Sequence, residues 1–353
     1  MRRVRLTRRE LLKSSLALPL VRSWPRKRSA TPKGQRDLGF LSDARSLVVP
    51  LGDTDVSRME LVCVWQSTVC RPRLTNHGRS AVAIKEVVLF DATLPMPPST
   101  RIYGEGFQML SQTGGTLGEP IDLGSYTDAK HYRMPMPDGV RTIYGALRFS
   151  DGHPRELAFR SCRRFSGLFR LRGASSLQVV VDTEGLVLAP GQTWELEEFA
   201  IEPDGRQTAP FSRLGAGIGS NHPPQGGGPP PTGWCSWYCF GPGVTAKQVL
   251  DNLDVIAKRI PDLKYVQIDD GYQPAMGDWL ETGAAFGGDV RHVLEEIRNR
   301  GFQPAIRVAP FVAEEHSHVF QDHRDWFVQD PAGGPLRSDK VTFGGWRRGP
   351  WYA

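Results

Sequence analysis

The chain has 353 residues, 39% hydrophobic and 23% charged, enough for two domains with buried cores, and no apolar run is long enough to span a bilayer. The formal net charge of +6 would suggest a polyanion partner, but 12 of the 44 Lys and Arg and one of the 38 acids fall within residues 1–36. That segment carries +11 and the remainder −5, which argues against nucleic acid as a partner of the folded body and leaves no stable membrane anchor.

The basic segment contains Thr7-Arg8-Arg9-Glu10-Leu11-Leu12-Lys13 ahead of a modest apolar stretch at residues 16–21. It resembles a bacterial twin-arginine export signal, which implies a periplasmic or extracellular protein. If the segment is only a basic tail, the protein stays in the cytoplasm. Either way residues 1–36 are set apart from the fold. The five cysteines, Cys63, Cys70, Cys162, Cys235 and Cys239, are odd in number and match neither zinc-site nor Cys-x-x-Cys spacing. Cys235 and Cys239 on one strand would lie about 13 Å apart, too far to bridge. All five are expected as buried packing residues, with no metal and no cofactor.

Residues 37–215 read as β-rich. Runs at 61–69, 82–90, 142–149, 168–171, 177–182 and 194–201 are separated by Gly, Pro, Asn and Asp clusters, the grammar of an antiparallel sandwich. Glu195, Glu197 and Glu198 around Leu196 and Phe199 suggest one wet face and one buried face. Tyr103-Gly104-Glu105-Gly106-Phe107-Gln108 and Gly114-Gly115 read as a loop region whose aromatics pack the sandwich edge. Residues 216–231, rich in Pro and Gly from His222 onward, form neither helix nor central strand and are expected as a linker.

After the linker the pattern changes to alternating strands and helices. Residues 232–240 read as a strand. Thr245 with Gln248 fits a capping box opening a helix whose face carries Val249, Leu253, Ile256 and Ile260 before Pro261 stops it. A second strand, Tyr265 to Asp269, follows. Asp289 then caps a helix with Val290, Val293, Leu294 and Ile297 inward, ended by Gly301. Residues 304–308 read as a third strand and 315–322 as a short helix. Three successive βα units imply a parallel sheet, and such sheets gather their functional groups where strands end. Those ends carry Trp237-Tyr238, Asp269-Asp270 with Asp278-Trp279, and Arg307 with Pro310. Carboxylates accept hydrogen bonds from hydroxyls and indole faces pack on the C–H patches of a pyranose, so the combination suits a sugar.

Gly233-Trp234-Cys235-Ser236-Trp237-Tyr238, Val266-Gln267-Ile268-Asp269-Asp270-Gly271-Tyr272-Gln273, Gly277-Asp278-Trp279 and Ala309-Pro310-Phe311-Val312-Ala313 occur in order. Together they resemble the α-galactosidases of glycoside hydrolase family 36, the melibiase-like enzymes, whose relatives include raffinose synthase. The resemblance is strong over residues 232–353 and weak before them. It implies an N-terminal β-supersandwich followed by a catalytic (β/α)8 TIM barrel, and a retaining double displacement on terminal α-galactosides. It also implies that Asp269 and Asp270 hold galactose hydroxyls, with Trp237, Asp278 and Trp279 beside them as substrate-binding residues. The expected partner is a galactose-containing oligosaccharide or glycoside.

The nucleophile and the acid/base of that family are aspartates on later barrel strands. Residues 232–353 number 122, whereas a whole barrel takes about 250. The expectation is therefore about three βα units of a partial barrel, with no catalytic residue assigned in this chain and a fragment lacking turnover. Two alternatives are a noncatalytic carbohydrate-binding protein and a galactosyl transferase of the raffinose synthase type. Arg307 stands where many of these relatives have tryptophan. Asp269 and Asp270 are strand neighbours pointing to opposite faces, unlike the two carboxyls of a retaining glycosidase, which converge to about 5–5.5 Å. Glu314-Glu315 reads as a solvated helix start, and His316, His318 and His323 as surface histidines.

Overall fold

The computed structural model describes residues 40–41, 43–106, 112–123, 138–151, 155–203, 211–226, 228, 230–330, 332–338 and 350–352. Residues 1–36, expected as an export signal or a basic tail, and Phe107 and Gln108 lie outside the described residues. The described residues are mostly β-sheet with few helices and divide into two compact units, the chain passing from one to the other between Gln225 and Gly226.

The first unit contains β1 (Arg45–Pro50), β2 (Met59–Gln66), β3 (Val69–Asn76), β4 (Val82–Thr93), β5 (Arg101–Gly104), β6 (Thr113–Gly115), β7 (Pro120–Asp122), β8 (Val140–Tyr144), β9 (Ala146–Ser150), β10 (Arg155–Phe159), β11 (Ser166–Arg172), β12 (Ser176–Leu188), β13 (Thr193–Glu195), β14 (Phe199–Pro203) and helix α1 (Ser212–Asn221). One antiparallel sheet has the order β1-β4-β12-β11-β8. A second runs β13-β3-β14-β10-β9-β5-β6-β7, with β2 also paired to β3. Alternation along the strands sends one side chain in two to the interior: in β3, Cys70, Pro72, Leu74 and Asn76 are buried and Arg71 and Arg73 exposed. Side chains of both sheets build one core. At its centre Phe90 and Phe169 from the first sheet meet Trp65, Phe159 and Phe199 from the second, with ring centroids 5.5 to 6.2 Å apart.

Several expected runs divide. Residues 61–69 span a hairpin, β2 turning into β3 at Ser67, whose φ is 53°. Residues 142–149 split into β8 and β9 at Gly145, φ 70°, and the two halves enter different sheets; the left-handed bend there suits glycine. Gly114 and Gly115 lie in β6. Residues 216–221, expected in the linker, complete α1. Glu197 and Glu198, expected on a wet face, are 2% and 8% exposed, because β13 and β14 are separate strands and the residues between them turn inward. Glu197 accepts hydrogen bonds from the backbone N–H groups of Arg163, Arg164 and Phe165 at 3.0, 2.9 and 3.0 Å and from the Ser161 hydroxyl. Glu198 accepts from Arg71 at 2.6 Å and from Asn221 at 2.7 Å.

The second unit contains β15 (Gly233–Cys235), the one-turn helix α2 (Trp237–Phe240), α3 (Ala246–Arg259), β16 (Tyr265–Ile268), α4 (Val290–Asn299), β17 (Gln303–Ile306), β18 (Ala313–Glu314), α5 (His318–Asp322), β19 (Arg337–Ser338) and β20 (Trp351–Tyr352). β15, β16 and β17 form a parallel sheet with β16 in the middle, and β18, β20 and β19 a small antiparallel one. The capping box is present at α3: the Thr245 hydroxyl accepts from the Gln248 N–H at 3.2 Å, and the Gln248 side chain accepts from the Thr245 N–H at 2.9 Å. Asp289 caps α4 through the Arg291 N–H at 3.0 Å. Val249, Leu253 and Ile256 of α3 and Val293 and Ile297 of α4 share a core with Val266 and Ile268 of β16.

Three expectations change in this unit. Residues 232–240 are not one strand: Ser236 takes helical angles after β15 and the chain turns into α2. Cys235 and Cys239 therefore do not share a strand. Of the cysteines only Cys70 is buried; Cys63 and Cys235 are half-buried and Cys162 and Cys239 exposed. Ile260 is 52% exposed, because it is the residue at which the chain leaves the helix.

Candidate sugar-binding site at the parallel strand ends

Three consecutive strand ends converge on Asp269, the first residue after β16. Its backbone N–H donates to the hydroxyl of Ser236, just after β15, at 2.9 Å, and Ser236 in turn donates its N–H to the Gln267 carbonyl at 3.1 Å. The Asp269 Oδ1 accepts from the Asp270 N–H at 2.8 Å and lies 3.5 Å from Nε of Arg307, just after β17. Oδ2 accepts from Gln267 Nε2 at 2.8 Å and from the Cys235 thiol at 3.5 Å. Two partners are thus close, and the Arg307 contact lies beyond the usual range for a charge-assisted hydrogen bond. Burial pushes the Cys235 thiol up, and the neighbouring Asp269 carboxylate adds to this against the Trp237 N–H, so the thiol acts as a neutral donor.

Asp270 faces a different set of partners. It is fully buried, and its Oδ1 accepts from the Gln273 side chain, whose amide oxygen Oε1 accepts from the Gly271 N–H at 3.2 Å. Gly271, at φ 123°, makes this tight turn; a Cβ there would stand 2.5 Å from the Pro242 carbonyl oxygen. Tyr272 is 1% exposed and donates to the Trp279 carbonyl at 3.3 Å. Its phenol is pushed up to about 12 by burial first and then by the Asp270 carboxylate, against Arg307.

The remaining expected site residues fall into two groups. Trp237 is half-buried at the start of α2, beside the exposed Tyr238. Trp279 packs against the core, its ring 6.5 Å from that of Tyr272. Asp278 is 6% exposed, and its carboxylate accepts from the backbone N–H groups of His318 and Val319 at 3.1 and 3.2 Å, securing the first turn of α5. Asp278, Glu281 and His318 bring one ligand atom each within 4.8 Å of one another. The His318–Glu281 contact at 2.7 Å accounts for this grouping as an ion pair, which with Asp278 pushes the imidazole up. Glu314, expected as solvated, is 6% exposed and accepts from the Met276 N–H at 2.8 Å; its carbonyl accepts from Ser317. His316 is 3.7 Å from Glu314, and His323 stacks on Trp326 at 3.8 Å.

Asp269 is therefore the acid on which the three strand ends converge, and Asp270, the next residue, accepts from the Gln273 side chain. Ser236, Gln267 and Gln273 are structural partners that the sequence displayed without distinguishing. For Gln267 a signal existed: it lies two residues before Asp269, so both side chains share one face of the chain. The arrangement supplies an acceptor pair, a guanidinium donor and a half-buried indole. Carboxylate and guanidinium groups of this kind can hydrogen-bond the hydroxyls of a polyhydroxylated ring.

No family model matches the chain. It is 29% identical to the mouse (Mus musculus) myogenesis-regulating glycosidase over 101 residues, which are 28% of this chain and 14% of that protein. Among solved structures it is similar to the α-galactosidase TtGalA from Thermus thermophilus in complex with stachyose, with a TM-score of 0.52 and 22% identity, covering 88% of this chain and 58% of that one. It is also similar to the GH36 α-galactosidase AgaB from Geobacillus stearothermophilus, with a TM-score of 0.50 and 12% identity, covering 84% and 43%. The α-galactosidase from Lactobacillus brevis gives a TM-score of 0.50 and 14% identity, covering 83% and 42%. The chain spans about half the length of these solved structures and shares the fold of the part it spans.

Proposed function

We propose that this chain belongs to an α-galactosidase-like retaining glycoside hydrolase and that the ends of β15, β16 and β17 bind the terminal galactose of an α-galactoside. The observation that carries this reading is the convergence of three strand ends on Asp269, whose carboxylate meets Cys235, Gln267 and Arg307 and whose N–H donates to the Ser236 hydroxyl, in a chain that shares the fold of α-galactosidases. In this reading residues 37–215 are the β-supersandwich, 216–231 the linker and 232–353 the beginning of a (β/α)8 barrel; residues 1–36 direct export. Asp269 and Asp270 accept ligand hydroxyl protons, Trp237 offers an indole to the C–H face of the ring, and Asp278 and Trp279 stand beside them as substrate-binding residues. The nucleophile and the acid/base are assigned to no residue of this chain.

Isothermal titration of the full chain with stachyose and with p-nitrophenyl α-galactopyranoside tests the reading, since TtGalA is seen with both. Saturable binding that Asp269→Ala abolishes, with the melting curve retained, is expected. Binding that survives Asp269→Ala unchanged, or no binding of either ligand, would refute it. Release of nitrophenol in the same samples separates turnover from binding, and product analysis with raffinose separates hydrolysis from galactosyl transfer.

A further inference from the structure

Gln267 lies one row below the strand ends. In the parallel register it stands between Cys235 of β15 and Ala305 of β17, and all three are half-buried. Val266 and Ile268 on either side of it are buried against α3 and α4, so alternation sends Gln267 and Asp269 together to the other face of the sheet. Within that row alanine offers no side-chain donor and a thiol only a weak one. The glutamine amide is the strong donor directly beneath the Asp269 carboxylate.

Three roles are open to this amide: a filler of the sheet face, a ligand contact, or a support for Asp269. As a filler it is unfavourable unless its polar atoms are hydrogen-bonded. Its Nε2 donates to Asp269 Oδ2 at 2.8 Å and contacts the Cys235 sulfur at 3.5 Å, and the Cys235 thiol donates to the same Oδ2 at 3.5 Å. A carboxylate only accepts, so the NH2 end of the glutamine must face it. Distance decides against ligand contact, since two residues along a strand span about 6.6 Å and Asp269 stands between Gln267 and the strand end. The remaining role fits the geometry. The other close donor on the carboxylate, the Asp270 N–H at 2.8 Å, belongs to the next residue and moves with the turn, while the Cys235 and Arg307 contacts are both 3.5 Å long. Ser236 holds Asp269 by its backbone N–H and not by its carboxylate. Gln267 is the near donor that ties the carboxylate to the body of β16.

We propose that Gln267 is a positioning residue of the sugar site: through its amide it fixes the Asp269 carboxylate in the orientation that receives a galactoside hydroxyl, without touching the ligand. The inference rests on the galactoside reading given above. Its test is titration of the wild-type chain, Gln267→Met and Gln267→Glu with methyl α-galactopyranoside from pH 4.5 to pH 8, each affinity taken as a ratio to wild type at the same pH. Melting curves at each pH verify that the variants fold. The titratable and charged groups around the position are Cys235 from β15, Asp269 and Asp270 at the end of β16, and Arg307 from β17. The Cys235 thiol, pushed up by burial, stays neutral across this range.

Methionine has the length of glutamine and no donor, so in Gln267→Met the ligand itself must order the carboxylate. Binding weakens by about 3- to 10-fold at every pH, the scale of ordering one side chain on association. In Gln267→Glu the introduced carboxyl and Asp269 repel when both are charged and share one proton as pH falls, so the upper pKa of the pair lies above the ordinary carboxylate value of about 4. Below it the introduced group donates an O–H where the amide gave an N–H. Its affinity ratio therefore climbs toward one as pH falls to 4.5 and drops at least about 10-fold below one by pH 8. A residue that only fills space produces no such pH-dependent ratio. The proposal is overturned by Gln267→Met binding within about twofold of wild type, or by a Gln267→Glu ratio that does not change with pH. A Gln267→Glu chain unfolded even at pH 4.5, where its neutral side chain has the shape of glutamine, also overturns it, because the residue then serves the fold. A wild-type chain that binds no α-galactoside overturns the functional reading and this inference together, whereas a wild type that binds and variants that bind equally well at every pH remove this inference alone.

Discussion

Replacing Glu197 by glutamine should destabilise the β-rich unit by about 2–4 kcal/mol. The carboxylate takes four donors, two on each oxygen: the N–H groups of Arg164 and Phe165 on Oε1, and the Arg163 N–H with the Ser161 hydroxyl on Oε2. Glutamine turns one of those oxygens into an NH2 group. The cheaper orientation sets the NH2 toward Ser161, whose hydroxyl can rotate to accept, and strands the Arg163 N–H. One stranded donor costs roughly 1–3 kcal/mol, and the loss of charge assistance in the other bonds adds on the order of 1 kcal/mol. The site is 2% exposed, so water offers little compensation. Burial pushes this carboxyl up, but the Ser161 hydroxyl and the Arg164, Arg163 and Phe165 N–H groups outweigh it and hold the pKa below the ordinary glutamate value. A depressed folded pKa means the stabilisation is fully present above the unfolded value of about 4.3 and is lost as pH falls through the lower folded value. Urea unfolding followed by tryptophan fluorescence at pH 7 and through the acid range measures both. A glutamine variant within about 0.5 kcal/mol of wild type at neutral pH, or a gap that does not narrow in acid, would refute the reasoning.

Two further outcomes are expected. Gly271→Ala should cost roughly 1–3 kcal/mol for the backbone angle and more for the contact with the Pro242 carbonyl, and by moving the turn between Asp269 and Gln273 it should weaken galactoside binding; thermal melting and titration check both, and an alanine variant equal to wild type in each contradicts the turn's role. Tyr272, its phenol pushed up from 10 to about 12, contributes stability that is complete below pH 10 and disappears as pH rises toward the folded value. Alkaline ultraviolet titration of Tyr272→Phe should lose one phenol from the late-titrating fraction, which also holds Tyr103, pushed up to about 12 by burial and then Glu105, and Tyr144, pushed up by burial and then Asp182; an unchanged late fraction would show that Tyr272 titrates normally.

The parts of this molecule that were readable from its text are those whose causes lie within a few residues. The α3 capping box needs Thr245 and Gln248 three apart, α4 needs Asp289 just before its first turn, and the apolar faces of both helices repeat at the helical period. The site was legible as a strand end bearing Asp269 and Asp270, because a β-branched run meeting acids and a glycine is a local pattern. Illegible were the features that depend on partners far along the chain. Glu197 looked like a wet residue of an alternating strand; it is buried because a loop more than thirty residues earlier turns its N–H groups toward it. Residues 142–149 looked like one strand, and only the pairing of β8 with β11 and of β9 with β5 and β10 shows that Gly145 sends the two halves to different sheets.

The sequence by itself determined where strands and helices alternate, which acids stand at a strand end, and how charge is divided between residues 1–36 and the rest, since propensity, periodicity and capping act over short spans. Tertiary structure decided which of those acids face one another's partners. Asp269 is gripped from β15, β16 and β17 because parallel strands joined by helices bring residues 236, 267 and 307 side by side, while Asp270 accepts from the Gln273 side chain and Asp278 from the His318 and Val319 N–H groups. Strand register, set by burial of Val266 and Ile268 against α3 and α4, is the physical reason that Arg307 arrives beside a carboxylate nearly forty residues before it.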